Sequence, residues 1–127
     1  MNRRTLLAAA VAVPALPLVA RAQSFPTRPV RMVIGFPPGG GSDQVGRPLA
    51  ARMPDVLGQQ IVVENRGGAN GNLALEHTAR SAADGYTICH VNNSVIAINP
   101  LLYRNLPFNV LEDFEPLGTV TLGGLCL

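Results

Sequence analysis

Three short apolar runs in this chain each end abruptly in a loop rich in glycine or asparagine. The run VRMVIGF (30–36) leads into PPGGGSD, IVVEN (61–65) leads into RGGANG, and YTICHV (86–91) leads into NNS. Apolar, β-branched runs of this length, bounded by proline and glycine, are typical of buried strands. Because helical patterns follow the first two loops, strand and helix alternate. The alternation predicts an α/β fold with βαβ units and a parallel, doubly wound sheet.

The first predicted helix carries two prolines. Apolar residues recur every four positions from Val45 to Leu57, which is the stripe of a helix packed on a sheet, and Gly58 is placed to cap its end. Pro48 and Pro54 fall inside this stretch and outside the first turn of a helix that starts at Ser42 or Asp43, where proline would be tolerated. The sequence therefore predicts a kinked or split helix.

The rest of the pattern completes the predicted sheet. We expect a helix over residues 72–83, a short helical segment around residues 97–103 and a last strand beginning near Leu117. In parallel sheets of this kind, ligands bind beyond the carboxyl ends of the strands. The three glycine- and asparagine-rich loops are therefore predicted to share one edge of the sheet.

The loop GGGSDQVG (39–46) matches neither common phosphate-binding motif. Gln44 stands where the dinucleotide fingerprint needs its third glycine, and the Gly-Lys-Ser/Thr of the phosphate loop is missing. Glycines at a helix start do let unpaired N–H groups approach an anion closely. Two interpretations stay open from this loop alone: a carboxylate-sized anion site, or a strand-to-helix turn that needs positive φ. Ser42 or Asp43 could cap the helix internally, and Asp43 would oppose an anion.

Composition excludes several function classes. All ten basic residues are arginine, so no lysine is present to form a Schiff base. No Gly-x-Ser-x-Gly elbow is present, and the serines at 42, 81 and 94 with the histidines at 77 and 90 make a weak hydrolase set. We therefore predict that the protein is not an enzyme. No cofactor or metal is predicted, and a disulfide between Cys89 and Cys126 is left open.

Residues 1–22 have the order of an export signal. Two arginines precede an apolar segment, which ends in the small-x-small triplet Ala20, Arg21 and Ala22, and the paired arginines resemble a twin-arginine signal. A membrane anchor is the weaker alternative, because the apolar segment is short and contains two prolines. We predict cleavage after Ala22 and a mature chain that does not span the membrane. The mature chain keeps seven arginines against eight acidic residues, which gives nucleic acid no basic surface to bind.

The motifs PTRPVRMVIGFPPGGGSD, LGQQIVVENRGGANGN, DGYTICHVNNS, AINPLLYRNLPFN and EDFEPLGTV, in this order, resemble the Bug family. Its members are periplasmic solute receptors of tripartite tricarboxylate transporters. The resemblance implies a Venus-flytrap fold of two lobes that closes on a small carboxylate, and the membrane subunits of the transporter as partners. It also implies that residues 23–127 are an incomplete first lobe, truncated near the crossover to the second.

The same resemblance implies a ligand site built from main-chain amides of the three loops. The implied residues of the first loop are Phe36, Pro38, Gly39, Gly40, Gly41, Ser42 and Asp43. Those of the second are Asn65, Gly68, Ala69, Asn70 and Gly71, and those of the third are Asn92, Asn93 and Ser94. Two hypotheses follow for the chain itself. It is a truncated and non-functional copy of such a receptor, or an exported single-lobe binding or interaction protein that acts as an oligomer.

Overall fold

The structure is a computed structural model that describes residues 24–122. The predicted export signal at 1–22 and Cys126 lie outside the described residues. Within them, three parallel strands form one sheet in the order β2-β1-β3. The strands are β1 (Val30–Ile34), β2 (Ile61–Asn65) and β3 (Thr87–His90). The strands predicted at 30–36, 61–65 and 86–91 are confirmed, although β1 ends at Ile34, where the chain turns at Gly35, and β3 is one residue shorter at each end.

The central strand β1 is buried by helices on both faces of the sheet. Ile34 points to one side, where a Cβ placed on Gly46 would lie 2.7 Å from its Cδ1. The next residue, Gly35, faces the other side, where its Cβ would lie 3.4 Å from the Cβ of Ala74. Successive residues of a strand face opposite sides, so a helix covers each face. This arrangement confirms the predicted α/β class and the partial doubly wound sheet.

The first helix is split, as predicted. Helix α1 (Gly41–Arg52) is followed after Met53 by the short helix α2 (Pro54–Leu57). Pro54 is the first residue of α2, where it removes no helical hydrogen bond, so the predicted split places this proline where a helix tolerates it. Pro48 remains inside α1. Gly58 caps α2 in the left-handed conformation, with a φ of 69°.

The second half of the described chain differs from the prediction at its ends. A 3-10 turn (Ala69–Gly71) leads into α3 (Asn72–Ala79), which ends four residues earlier than predicted. A π-helical turn (Ser94–Ile98) then precedes α4 (Asn99–Leu102).

The last predicted strand, near Leu117, is wrong: residues 114–122 have no regular secondary structure. Val120 and Thr121 lie beside α1, so this segment runs over a helix instead of along a sheet edge, where a strand would find partners.

Two apolar clusters fill the space between the sheet and its helices. The first joins β1 to α1 and is centred on Met32, Ile34 and Ala50. The second lies under α3 and the π-helical turn and is centred on Leu75, Val95 and Phe108. The second cluster reaches the carboxyl edge of the sheet, where Phe36 of the first loop packs against it. No helix within residues 24–122 has the length and apolar character needed to cross a membrane.

Candidate functional site

The three predicted loops do meet at the carboxyl edge of the sheet. A Cβ on Gly67 would lie 3.4 Å from the Cδ of Pro37, which brings the second loop against the first. A Cβ on Gly71 would lie 2.9 Å from Val95 Cγ2 and 3.6 Å from Phe36 Cε2, so this glycine touches all three regions. Only a residue without a side chain fits here at its φ of 87°. Glycine therefore serves close packing between loops as well as the turn itself.

The strand order places this edge at a topological switch point. The chain leaves β1 toward β2 on one side and later returns to pair β3 on the other side of β1. In sheets with this order, the crevice for a ligand opens outside the carboxyl ends of β1 and β3. The loops after Ile34 and after His90 therefore flank the expected position of a ligand.

The first loop is held by the carboxylate of Asp43. The Gly39 N–H donates to its Oδ2 at 2.8 Å, Arg47 Nε donates to the same oxygen at 2.8 Å, and Asn65 Nδ2 donates to Oδ1 at 2.8 Å. These donors, the Arg47 bond first among them, lower the pKa of Asp43 from 3.8 to about 2. The side chain of Asp43 is only 5% exposed. The carboxylate therefore stays ionised and holds the loop to the start of α1.

Asn65 extends this network from the end of β2 to the first loop. Its Nδ2 also donates to the carbonyl oxygen of Phe36 at 3.0 Å, and its Oδ1 accepts from Arg47 at 2.9 Å. Asp43 and Asn65 were predicted as ligand-binding residues, and the structure engages both of their side chains within the protein. Arg47 is not among the predicted site residues, although its spacing of four residues after Asp43 on a helix is a usable signal.

The start of α1 keeps main-chain donors free. Gly40 is the N-cap residue, so the prediction that Ser42 or Asp43 caps the helix is wrong; Asp43 instead sits inside the first turn. The N–H groups of Gly41 and Ser42 have no acceptor among residues 24–122. A Cβ on Gly41 would meet no atom within 4 Å. An anion can therefore approach these amides at the positive end of the helix dipole.

The second loop adopts a run of left-handed residues. The φ angles are 133° at Gly68, 47° at Ala69, 53° at Asn70 and 87° at Gly71. Non-glycine residues rarely adopt this conformation unless their surroundings hold them in it. The N–H groups of Ala69 and Asn70 have no acceptor among the described residues. The second loop therefore adds two more main-chain donors to the same edge.

The buried side-chain amides of Asn72 and Asn99 hold the second loop in place. Asn70 Nδ2 donates to Asn99 Oδ1 at 2.7 Å, while Asn99 Nδ2 donates to the Asn70 carbonyl at 3.0 Å and to Asn72 Oδ1 at 2.6 Å. Asn99 is completely buried, and Asn72 is buried with no acceptor for its Nδ2 in the described part of the chain. Asn72 and Asn99 are not among the predicted site residues, because nothing in the local sequence distinguishes a buried asparagine from an exposed one.

The third loop is a self-contained turn. Asn92 Oδ1 accepts from Ser94 Oγ at 2.6 Å and from the Val95 N–H at 3.3 Å, a pattern that starts the π-helical turn. Asn92 and Asn93 are exposed and lie close in sequence to Val95, which packs against Gly71 of the second loop. The predicted residues of the third loop are therefore accessible at this edge.

Within residues 24–122, no hydrogen bond joins a histidine ring or the Cys89 thiol to a serine hydroxyl, although His90 lies against the start of α1 near Ser42. Burial lowers the pKa of His90. A hydrogen bond to the Ser42 main chain acts in the opposite direction but has the smaller effect. The Ser81 hydroxyl donates to the main-chain oxygen of His77 at 2.9 Å, so it serves to end α3. Burial raises the pKa of the Cys89 thiol to about 11, which keeps it protonated and unreactive.

An open cleft of about 390 Å³ lies beside the second loop but has no excess of positive charge. Its lining residues are Arg66, Gly67, Leu73, Glu76, His77 and Arg80. Arg66 is paired with Glu64, and Arg80 is paired with Glu76 at 2.7 Å. Because both guanidinium groups already have carboxylate partners, the amides of the loops are better donors for an anion than this cleft.

Comparison with known proteins identifies relatives along most of the chain. The family model described as tripartite tricarboxylate transporter family receptor matches residues 45–127. Protein BugT of Bordetella pertussis (strain Tohama I) is 40% identical over 124 residues, which cover 94% of this chain and 38% of BugT. A UPF0065 protein of Agrobacterium vitis is also 40% identical over 124 residues, which cover 95% of this chain and 35% of that protein.

Solved structures of similar proteins also match most of this chain. MatC from Rhodopseudomonas palustris with bound malate is similar with a TM-score of 0.66 and 35% identity, covering 76% of this chain and 33% of MatC. A second R. palustris protein, solved with adipate, has a TM-score of 0.65 and 38% identity over 68% of this chain and 29% of its own. The chain thus spans less than two fifths of the length of each of these relatives.

Proposed function

Because this chain belongs to the tripartite tricarboxylate transporter receptor family, we propose that it binds a small carboxylate for uptake by a transporter of that type. The role proposed is capture of a solute, with no chemical conversion. The relatives solved with malate and with adipate both carry dicarboxylates, which supports a dicarboxylate as the ligand class.

The observation that carries this proposal is the set of free main-chain donors at the carboxyl edge of the sheet. Four main-chain N–H groups donate to no acceptor among the described residues. They belong to Gly41 and Ser42 at the start of α1, and to Ala69 and Asn70 in the second loop. Charge-assisted hydrogen bonds to a carboxylate would satisfy them. The ionised Asp43 lies nearby, but Arg47 pairs with it at 2.8 Å, so the pair offers little net repulsion to an anion.

The location and partners form part of the same proposal. Residues 1–22 have the order of an export signal, which would deliver residues 23–127, the first lobe of a receptor, to the periplasm. There the loaded receptor would meet the membrane subunits of a tripartite tricarboxylate transporter. The predicted loop residues are proposed as the binding site on this lobe.

Gly41 offers a matched pair of variants that tests the proposal. Gly41→Pro removes the N–H at the first position of α1, which tolerates proline, and the extended backbone of Gly40 suits the residue before a proline. Gly41→Ala keeps the N–H and adds a methyl group in open space. Calorimetric titration with malate and adipate should show wild-type binding, little change for the alanine variant and about tenfold or greater weakening for the proline variant, since a hydrogen bond to a charged group contributes about 1.5–3 kcal/mol.

The uncharged dimethyl ester of malate is the ligand control. It should not bind, because it lacks the charge that the amides and the helix dipole stabilise. Binding of the ester as tightly as malate, or no binding of any di- or tricarboxylate by the wild-type chain, would overturn the proposed function. Equal weakening by proline and by alanine would show that space at Gly41, and not its N–H, determines the affinity.

A further inference from the structure

The amide of Asn99 contacts the second loop on both sides of Gly71, at Asn70 and at Asn72. Its oxygen accepts from Asn70 Nδ2 at 2.7 Å, and its nitrogen donates to the Asn70 carbonyl at 3.0 Å and to Asn72 Oδ1 at 2.6 Å. All three contacts need a side chain that donates and accepts at once, which an amide does and a carboxylate or an apolar group does not. Because Asn99 is wholly buried, no water competes for these bonds.

The loop segment that Asn99 contacts has an intrinsically unfavourable backbone conformation. Ala69 and Asn70 have positive φ angles of 47° and 53°, which persist only where surrounding contacts impose them. Two main-chain hydrogen bonds close the turn in the described structure: the Gly71 N–H donates to the Gly68 oxygen at 2.9 Å, and the Asn72 N–H donates to the Ala69 oxygen. Neither bond uses the N–H group of Ala69 or Asn70, and the contacts with Asn99 are the side-chain hydrogen bonds that hold Asn70 in place within the described residues.

We propose that Asn99 is a positioning residue for the binding site: it holds the second loop in the conformation that presents the Ala69 and Asn70 N–H groups to a carboxylate. This inference rests on the function proposed above. Asn99 does not touch the ligand. It acts through Asn70, which follows Ala69 in the loop, and links the loop to α4, which lies 29 residues further along the chain.

The test replaces Asn99 by leucine, a side chain of similar size that makes no hydrogen bond and adds no charge. The matched control is Asn105→Leu, at an exposed asparagine. Two quantities are measured: the affinity for malate, and the NMR order parameters of residues 69–71 without ligand. We expect the order parameters to fall from about 0.85 toward 0.6 in the Asn99 variant only. If a tenth of the loop population remains competent, the malate affinity falls about tenfold.

A second variant, Asn70→Asp, serves if the Asn99 variant does not fold. Aspartate tolerates positive φ and the position is exposed, but the side chain can no longer donate to Asn99. Because the change also adds a negative charge, the order parameters decide for this variant, and they should fall.

Wild-type binding of malate with unchanged order parameters and affinity in the variants would overturn the positioning role alone. If the wild-type chain binds neither malate nor adipate, the proposed function fails and the positioning role fails with it.

Discussion

The first and second loops lie side by side at the same edge, yet they are held by opposite kinds of chemistry. The first depends on an ionised carboxylate, Asp43, whose partner Arg47 has a side chain that is 51% exposed. The second depends on neutral amides around Asn99, which is completely buried. The first loop is therefore sensitive to the protonation of one group, whereas the second is sensitive to packing.

The space around the glycines shows the same contrast. Gly39 in the first loop and Gly71 in the second have similar φ angles, 79° and 87°. A Cβ on Gly39 would meet nothing within 4 Å, whereas one on Gly71 would meet Val95 at 2.9 Å. Glycine is needed for backbone conformation in the first loop, and for conformation and close packing in the second.

Alanine substitution of these two glycines tests the contrast with the largest expected effect. Gly71→Ala should lower the free energy of unfolding by about 3 kcal/mol, from left-handed strain together with overpacking against Val95. Gly39→Ala carries only the strain and should lower it by about 1 kcal/mol. Urea denaturation followed by circular dichroism measures both values.

Equal losses for the two alanine variants would contradict the distinction between the loops. Such a result would mean that Val95 moves aside at little cost, so that packing does not restrain the second loop. A Gly71→Ala, Val95→Ala double variant provides a check, because removing the valine methyl groups should restore part of the loss that overpacking causes.

Replacement of Asn65 by alanine should have the next largest effect, and it should fall on the first loop. The change leaves the Phe36 carbonyl and Asp43 Oδ1 without their amide donor, which should lower the free energy of unfolding by about 2 kcal/mol. Asn93→Ala, at an exposed asparagine of the third loop, is the matched control and should change it by less than about 0.5 kcal/mol. A loss no larger than that of the control would show that Asn65 does not hold the first loop.

Much of the fold follows from local sequence signals. The β-branched runs predicted the three strands of the observed sheet, and the bounds of Ile61–Asn65 are correct to the residue. Proline chemistry gave the split of the first helix, and the glycine after Leu57 gave its cap. These features depend on neighbours in the sequence, which is why they could be predicted. The meeting of the three loops followed from the parallel connection of the strands, since their carboxyl ends share one edge.

The parts that could not be predicted depend on contacts between distant residues. The hydrogen bonds between Asn70 and Asn99 join positions 29 residues apart, and the sequence does not show which asparagines are buried. The role of Asp43 depends on Asn65, 22 residues later. The strand expected near Leu117 had suitable residues, but a strand also needs a free sheet edge beside it, and the segment lies over α1 instead.

Acidification should loosen the first loop and leave the second loop in place. At neutral pH this is the smallest of the predicted effects. The pKa of Asp43 is about 2 in the folded chain, against an ordinary value of 3.8. Its contribution to stability is therefore complete above about pH 4 and is lost as the pH falls toward 2. The NMR signal of the Gly39 amide, which donates to Asp43, should shift with a midpoint near 2. The Gly71 amide, bonded to Gly68, should show no such step.

An Asp43→Asn variant separates this transition from the titration of His90, which also lies against the start of α1. Burial lowers the pKa of His90, so protonation of the ring destabilises the fold as the pH falls through that lowered value. Asparagine does not titrate, so the step near pH 2 should vanish from the Gly39 signal while any step from His90 stays. A Gly71 signal that moves together with Gly39 would mean that the loops open as one unit, and the charged network around Asp43 would then support both.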